Sequence, residues 1–191
     1  MDNKERITQI YRDLDRAYFI DEHKEHAHLD RALPIGHGQT ISQPSLVLEM
    51  TIALDIHKDH RVLEIGTGSG FQTALLAKAA EKVYTVERIK EHHESAKKRL
   101  EEASYENISY KLGDGSQGWP EHAPYDRIMV TAAAKTLPEA LVKQLTPTGK
   151  MVIPVGAETM QELLLIEKNK EGKIKKERLN IVQFVDLIGD Y

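Results

Sequence analysis

The sequence predicts an α/β fold in which helices cover both faces of a mostly parallel, seven-stranded sheet. Between residues 61 and 154, short apolar runs of strand character alternate with helical stretches, as they do in parallel sheets. After residue 162, strand-like runs follow one another without an intervening helix, which predicts antiparallel strands at the sheet edge. A glycine-rich turn follows the first run, where such folds bind nucleotide-like ligands. Together these observations predict a Rossmann-like three-layer α/β/α sandwich with antiparallel C-terminal edge strands.

Composition sets the class of protein. A chain of 191 residues with 40% hydrophobic and 29% charged residues suits one globular domain, residues 1–191. No apolar run could span a bilayer, and the formal charge of -4 gives no general attraction to nucleic acid. There is no cysteine, which excludes disulfides, thiolate metal ligands and a cysteine nucleophile and suits a reducing cytoplasm. We therefore expect a cytoplasmic protein that binds neither nucleic acid nor membrane, and we expect a monomer.

The first part of the chain, residues 1–42, is predicted to be a helical and loop extension of that domain. We expect it to form part of the acceptor side, which is the side where a substrate would bind. Residues 3–18 carry apolar side chains at helical spacing, which predicts an amphipathic helix. Residues 21–32 are polar, and a glycine-rich turn follows them. Ser42 then precedes a helix with proline in its first turn, so we expect the Ser42 hydroxyl to cap that helix.

Three histidines of the polar segment, His23, His26 and His28, raise the alternative of a metal site. The chain offers no cysteine and no carboxylate–histidine pattern on a helix beside them. A solvated loop is the simpler interpretation, and we expect no metal.

The alternating region divides into elements at its turns. Runs rich in Val, Ile, Leu and Tyr indicate strands, and longer runs with a helical period indicate helices. The predicted strands span residues 61–65, 82–86, 108–112, 125–130, 150–154, 162–167 and 179–187. The predicted helices between them span residues 71–80, 89–103 and 138–144.

The glycine-rich turn reads E-I-G-T-G-S-G from Glu64 to Gly70. A dinucleotide site requires G-x-G-x-x-G, and here Phe71 or Thr73 stands where the third glycine is required. A carboxylate at Glu64 would repel a pyrophosphate but could pair with the amino group of a methionine moiety. The spacing therefore favours S-adenosylmethionine as the ligand, with a glycine-bearing turn of another α/β domain as the alternative.

Two further strand ends carry groups that suit the same ligand. Glu87 closes the second strand of the alternating region and is placed to accept both ribose hydroxyls. The third strand leads into Gly113, Asp114 and Gly115, where the aspartate can accept from the adenine amino group. Three acidic or glycine features at successive strand ends indicate a methyltransferase.

The segment after the fourth strand bears on the acceptor. Thr131 is followed by three alanines, so the Asn/Asp-Pro-Pro-aromatic signature of enzymes that methylate base amines is missing. Methylation of cytosine C5 needs a cysteine nucleophile, which the chain lacks. Small side chains here leave room for a polypeptide.

The chain resembles the protein-L-isoaspartate O-methyltransferase family from Leu33 to Gly189. The resemblance rests first on L-P-I-G-H-G-Q-T-I-S-Q-P from Leu33 to Pro44. It continues through G-D-G, G-W-P-E-H-A-P-Y-D, P-E-A-L, V-I-P-V-G and Q-E-L-L-L further along the chain. The G-Q-T-I-S segment is far more specific than the glycine-rich turn, which many methyltransferases share.

The resemblance implies methylation of the α-carboxylate of L-isoaspartyl residues in damaged proteins, after which the ester collapses to a succinimide that can reopen to aspartate. It implies a catalytic role for Ser42 and substrate contacts from Ile41, Ser42, Ala133 and Val185. A carboxylate is already ionised at neutral pH, so neither a strong base nor a metal is needed. The expected cofactor-binding residues are Thr40, Ile41, Glu64, Gly66, Thr67, Gly68, Gly70, Glu87, Arg88, Asp114, Gly115 and Thr131.

Two departures leave alternatives open. The region before Leu33 is shorter than is usual in the family, and Ser45, Leu46 and Val47 stand where many members place histidines. The chain could instead be a carboxyl or hydroxyl methyltransferase acting on a small molecule. It could also be a non-catalytic protein that binds S-adenosylmethionine.

Overall fold

The structure is a computed structural model that describes residues 2–157 and 159–189. Met1, Glu158, Asp190 and Tyr191 of the predicted domain lie outside the described residues. The helices are α1 (Asn3–Arg12), α2 (Pro44–Leu54), α3 (Phe71–Ala79), α4 (Lys90–Glu102) and α5 (Glu139–Lys143). The strands are β1 (Leu33–Gly36), β2 (Gln39–Ile41), β3 (Arg61–Ile65), β4 (Lys82–Glu87), β5 (Ile108–Leu112), β6 (Tyr125–Val130), β7 (Leu145–Ala157), β8 (Met160–Lys168) and β9 (Ile174–Val182). No helix in these described ranges is long and apolar enough to cross a membrane.

Seven strands form one sheet in the order β5-β4-β3-β6-β7-β8-β9. The strands from β3 to β7 pair in parallel, β8 pairs with β7 in the antiparallel direction, and β9 pairs with β8 in the antiparallel direction. The predicted three-layer sandwich with antiparallel edge strands is therefore confirmed. Parallel pairing places the carboxyl ends of β3, β4 and β6 at one edge, where ligands bind in open sheets.

Strand β3 shows why the sheet is central. Val62 packs in a core cluster with residues of α1, α2 and α3, whereas Leu63 and Ile65 pack in a second cluster that includes Leu141 of α5. Successive strand residues point to opposite faces, and both faces are covered by helices, so each of these side chains is at most 2% exposed. Burial on both faces explains the nearly continuous apolar run in the sequence.

The amino-terminal segment differs from the predicted helix over residues 3–18. An Asp2–Glu5 capping box starts α1, but α1 ends at Arg12, and a separate 3-10 turn follows at Arg16–Phe19. The carboxylate of Asp15 accepts from the Ala17 N–H at 2.9 Å and so begins that turn. The helical spacing of apolar residues continues from α1 into the 3-10 turn, so the sequence does not show that the helix ends at Arg12.

The carboxyl-terminal segment also differs, because the strand predicted over residues 179–187 leaves the sheet after Val182. The Ala133 N–H donates to the Val185 carbonyl at 2.8 Å, and the Leu187 N–H donates to the Ala133 carbonyl at 2.8 Å. These bonds draw residues 183–189, named here the tail segment, across the carboxyl ends of the strands. The predicted turn before Ser42 is likewise a short antiparallel hairpin of β1 and β2.

Candidate active site

A cavity lies at the carboxyl ends of β3 and β4, between the glycine-rich turn, the β1–β2 hairpin and the tail segment; we name it the loop cavity. The glycine-rich turn holds Gly66, Gly68 and Gly70 at φ values of 94°, 52° and 87°, which side chains rarely tolerate. A Cβ on Gly66 would collide with the Thr131 hydroxyl. The turn therefore needs glycine for its backbone conformation and for the close approach of β6.

Glu87 closes β4 at the wall of the loop cavity and is 6% exposed. Its carboxylate accepts from the Gly68 N–H at 2.9 Å and from the Ile89 N–H at 2.8 Å. Two backbone donors fix the carboxylate against the glycine-rich turn while it lines the cavity. Remaining lone pairs of the two oxygens can accept hydroxyl groups of a ligand.

Glu64 does not line the loop cavity, which corrects the predicted ion pair with a methionine amino group. Its side chain is fully buried beneath the turn, where one carboxylate oxygen accepts from Thr73 at 2.6 Å and from Thr85 at 2.7 Å. The other oxygen is buried without a partner. Burial raises the pKa of Glu64 to about 8, despite the hydroxyl donors that act in the opposite direction. Glu64 supports the turn from below.

Asp114 and Gly70 are two further predicted ligand residues that are not in the cavity wall. The Asp114 carboxylate turns back to accept from the Ser116 N–H at 2.7 Å and from the Ser116 hydroxyl at 2.9 Å. Gly70 begins α3 and faces Leu100. Gly115 does line the cavity, and a Cβ there would lie 2.5 Å from the Ile65 side chain. Gly115 therefore allows close packing against Ile65, which also lines the cavity.

The expected helix cap at Ser42 is wrong. Gln43 occupies the N-cap position of α2 without a side-chain capping bond, and Asp30 supplies the missing acceptor. The Asp30 carboxylate accepts from the Ser45 N–H at 2.8 Å and from the Gln43 side chain at 3.0 Å. These donors lower the pKa of Asp30, the Ser45 backbone N–H most of all. Ser42 is thereby left without a capping role, and it lines the loop cavity.

Arg16 fixes the backbone at Ser42. This arginine is 6% exposed and donates to the carbonyl oxygens of Ala27, Arg31 and Ser42 at 2.9, 3.0 and 3.1 Å. Burial lowers the pKa of Arg16, the nearby Asp30 carboxylate acting against that shift. One side chain thus joins the 3-10 turn, residues 21–32 (named here the polar loop) and the end of β2 next to Ser42.

Beside the loop cavity runs a second recess, which we name the side groove; it is lined by Ser42, the start of α2, the end of β9 and residues 183–185. Thr40, Ser42, Thr131 and Val185 line both recesses. The Thr131 hydroxyl donates to the carbonyls of Ile65 and Gly66 at 3.0 and 2.8 Å. These four residues, the shared wall, are the place where a group could pass between two ligands.

The predicted site residues therefore divide into two sets. Ala133 is 2% exposed, its backbone bonds to the tail segment, and it lines neither recess, so its contact with substrate stays a prediction. The structure places the remaining predicted residues around the loop cavity: Thr40, Ile41, Ser42, Gly66, Thr67, Gly68, Glu87, Arg88, Gly115, Thr131 and Val185. Sequence reasoning missed Ile35 and Gln39 of the hairpin, although both lie in the L-P-I-G-H-G-Q-T-I-S segment, and it missed Ile188 of the tail segment.

The polar loop contains one group of possible metal ligands among the described residues. Ligand atoms of His23, Glu25 and His26 lie within 4.8 Å of one another on the surface, and His28 is not part of the group. None of the three lines the loop cavity or the side groove.

A family model and curated relatives identify the family. The family model described as protein-L-isoaspartate(D-aspartate) O-methyltransferase matches residues 1–191. A protein-L-isoaspartate O-methyltransferase of Dictyoglomus turgidum is 52% identical over 177 residues, which are 92% of this chain and 80% of that protein. A protein-L-isoaspartate O-methyltransferase 2 of a Polaromonas species is 46% identical over 187 residues, 97% of this chain and 89% of that protein.

Two solved structures extend the likeness to the fold. A protein-L-isoaspartate O-methyltransferase superposes with a TM-score of 0.88 at 27% identity, covering 99% of this chain and 62% of that one. A β-aspartate methyltransferase of Plasmodium falciparum, in complex with S-adenosyl-L-homocysteine, superposes with a TM-score of 0.80 at 28% identity. That alignment covers 98% of this chain and 91% of the other.

Proposed function

The chain belongs to the protein-L-isoaspartate O-methyltransferase family, and we propose that its loop cavity holds S-adenosylmethionine while its side groove holds the damaged polypeptide. The reaction is transfer of a methyl group from S-adenosylmethionine to the α-carboxylate of L-isoaspartyl residues, which starts the repair of damaged proteins. The roles given below to individual residues are part of the proposal.

The observation that carries the assignment is the shared wall. Ser42 lies where the loop cavity and the side groove meet, together with Thr40, Thr131 and Val185. A methyl group transferred in line needs donor and acceptor on opposite sides of a short gap. Two adjoining recesses with one common boundary provide that arrangement.

The residues of the loop cavity fit the donor. When bound, S-adenosylmethionine supplies an electrophilic methyl group on a positively charged sulfur. Glu87 would accept the ribose hydroxyls, since its carboxylate is already oriented by the Gly68 and Ile89 N–H groups. Gly66 and Gly115 allow the backbone to pack closely against Thr131 and Ile65, which also line the cavity. Arg88 and Thr40 would complete the rim.

The residues of the side groove fit an ionised acceptor. The Ser42 hydroxyl would donate a hydrogen bond to one carboxylate oxygen and leave the other directed at the methyl group. Because the carboxylate is already charged at neutral pH, this role requires orientation and no proton transfer. Arg16 would contribute indirectly, as it holds the Ser42 carbonyl and so the position of the hydroxyl. The hairpin and the tail segment border both recesses at Thr40 and Val185 and would shield the gap from water.

Several broader expectations remain proposals. Residues 1–42 form part of the acceptor side, an assignment supported by Ala32, Thr40 and Ser42 in the side groove. We also propose that the protein acts in the cytoplasm as a monomer, and that it binds neither nucleic acid nor membrane. The cysteine-free composition suits a reducing cytoplasm, and the formal charge of -4 gives no general attraction to nucleic acid or anionic lipid.

The deciding experiment is methyl transfer from S-adenosylmethionine to an isoaspartyl peptide, with the matching aspartyl peptide as control. We expect transfer to the isoaspartyl peptide alone. Ser42→Ala should lower kcat/KM without weakening cofactor binding, and Ser95→Ala, at an exposed position of α4, should leave both unchanged.

Three results would contradict the proposal in different ways. Activity on a small carboxylic acid or alcohol, with none on either peptide, would identify a small-molecule methyltransferase. Cofactor binding without any turnover would identify a non-catalytic binding protein. Unchanged kcat/KM in Ser42→Ala would leave the reaction in place and remove Ser42 from it.

A further inference from the structure

The side groove is nearly uncharged. Glu49, on α2, is the one residue with an ionisable side chain among the described residues that line it. It lies one helical turn after Ser45 and Leu46, which also line the groove, so its carboxylate belongs to the same face of α2. A carboxylate in this recess would repel the anionic acceptor that the recess is proposed to bind, so its position needs a chemical explanation.

Among the described residues, no cationic side chain forms an ion pair with Glu49. The Asn180 side-chain amide donates to its two carboxylate oxygens at 3.4 and 3.2 Å, and these bonds tie α2 to the edge strand β9. An amide carries no positive charge, so this tie orients the carboxylate without neutralising it. Glu49 is half-buried, which keeps it partly desolvated and still within reach of a ligand in the groove.

The placement separates Glu49 from the reacting centre. Ser42, Thr40, Thr131 and Val185 form the shared wall, whereas Glu49 lines the side groove and not the loop cavity. It therefore faces the chain that flanks the isoaspartyl residue more than the carboxylate that is methylated. A negative charge at that place attracts a basic flanking side chain and repels an acidic one.

We propose that Glu49 is a specificity residue that makes this chain prefer isoaspartyl polypeptides with a lysine or arginine beside the damaged residue and disfavour those with an acidic neighbour. The inference rests on the proposed function of the side groove. An exposed ion pair is worth roughly a two- to fivefold change in kcat/KM, and added salt should reduce it. The preference between basic and acidic neighbours combines attraction and repulsion and should reach about tenfold at low salt.

The test uses three isoaspartyl peptides that differ only in the flanking residue, which is lysine, glutamine or glutamate. The wild-type kcat/KM should fall in that order, and 0.5 M salt should compress the differences. Glu49→Gln keeps an oxygen that can accept from Asn180 but removes the charge, so it should make the three values nearly equal. For each protein the value on the glutamine peptide is the reference, so the lysine-to-glutamine and glutamate-to-glutamine ratios report the preference separately from overall activity.

A matched control separates the local charge from the net charge of the protein. Glu81→Gln makes the same change at an exposed position next to the amino end of β4, away from the groove, and should keep the wild-type order. Equal wild-type values for the three peptides would overturn the inference, as would a full preference retained by Glu49→Gln. If the folded wild type fails to methylate the glutamine peptide, the proposed function itself is wrong and the inference falls with it.

Discussion

The carboxylate of Asp30 accepts a hydrogen bond at 2.8 Å from the backbone N–H of Ser45, fifteen residues further along the chain. The polar loop thus supplies the cap of α2 from outside the helix. A carboxylate at a helix N-terminus accepts a hydrogen bond from a free N–H group, and its negative charge interacts favourably with the positive end of the helix dipole. Because Asp30 takes this role, the neighbouring Ser42 is available at the shared wall of the two recesses.

Asp30→Ala should destabilise the start of α2 by about 1 kcal/mol, the usual cost of losing a cap. Asp30→Asn, which keeps an acceptor, should cost less. The folded-state pKa of Asp30 is lowered, so its contribution is complete at neutral pH and is lost as the pH falls through that pKa. Urea unfolding at neutral and acidic pH measures this, and equal losses for Asp30→Ala at both would contradict it.

Glu64→Gln should change the pH dependence of stability. The folded-state pKa of Glu64 is about 8, above its ordinary value of 4.5, so the wild type loses stability as the pH rises between those values. Glutamine imitates the protonated carboxyl group and should remove that loss. The measurement is the free energy of unfolding of both proteins at pH 5 and pH 8; parallel changes in the two would contradict the assignment.

The same substitution tests whether Glu64 touches the donor. Because Glu64 lies beneath the turn and outside the loop cavity, Glu64→Gln should bind S-adenosylmethionine about as well as the wild type. A large loss of affinity by calorimetry, in a variant with a normal unfolding curve, would restore the ion pair expected from the sequence.

Glu87→Ala should weaken binding of S-adenosylmethionine by about 1–3 kcal/mol, as expected for lost hydrogen bonds to a charged group. The substitution also releases the Gly68 and Ile89 N–H groups, so the turn loses a support as well as an acceptor. Calorimetric titration gives the affinity, with Glu81→Ala as a control of equal charge change. Unchanged affinity in Glu87→Ala would show that the ribose lies elsewhere.

Arg16→Met should destabilise the protein, since it leaves three carbonyl oxygens without their donor, and each buried unpaired group costs on the order of 1–3 kcal/mol. It should also lower kcat more than it weakens cofactor binding, because one of those carbonyls belongs to Ser42. Arg12→Met, at an exposed position of α1, is the control. A fall in stability with unchanged kcat would limit Arg16 to a structural role.

The strands and the glycine-rich turn could be predicted because their causes are local. An apolar run buried on both faces and a turn that requires positive φ leave direct marks in the sequence. The period of the strand even carried a warning about Glu64, since it shares a face with Val62, which is in the core. The turn signature concealed that direction.

The features that the sequence did not indicate depend on distant residues. The cap from Asp30 to Ser45 and the tie from Glu49 to Asn180 join segments that only the folded chain brings together. The position at which β9 ends also depends on a distant residue, because residues after Val182 leave the sheet and bond to Ala133. The residue pattern of 179–187 does not show which of these residues pair with β8 and which bond to Ala133.

The shared wall also governs how ligands come and go. Exposed residues line each recess separately: Arg88 and Ile188 belong to the loop cavity alone, and Met160 and Ile181 belong to the side groove alone. If each ligand leaves past its own exposed residues, neither has to wait for the other to depart. On the proposed assignment, a spent donor molecule would then be exchanged while a long damaged chain stays docked, and one encounter would serve neighbouring lesions in succession.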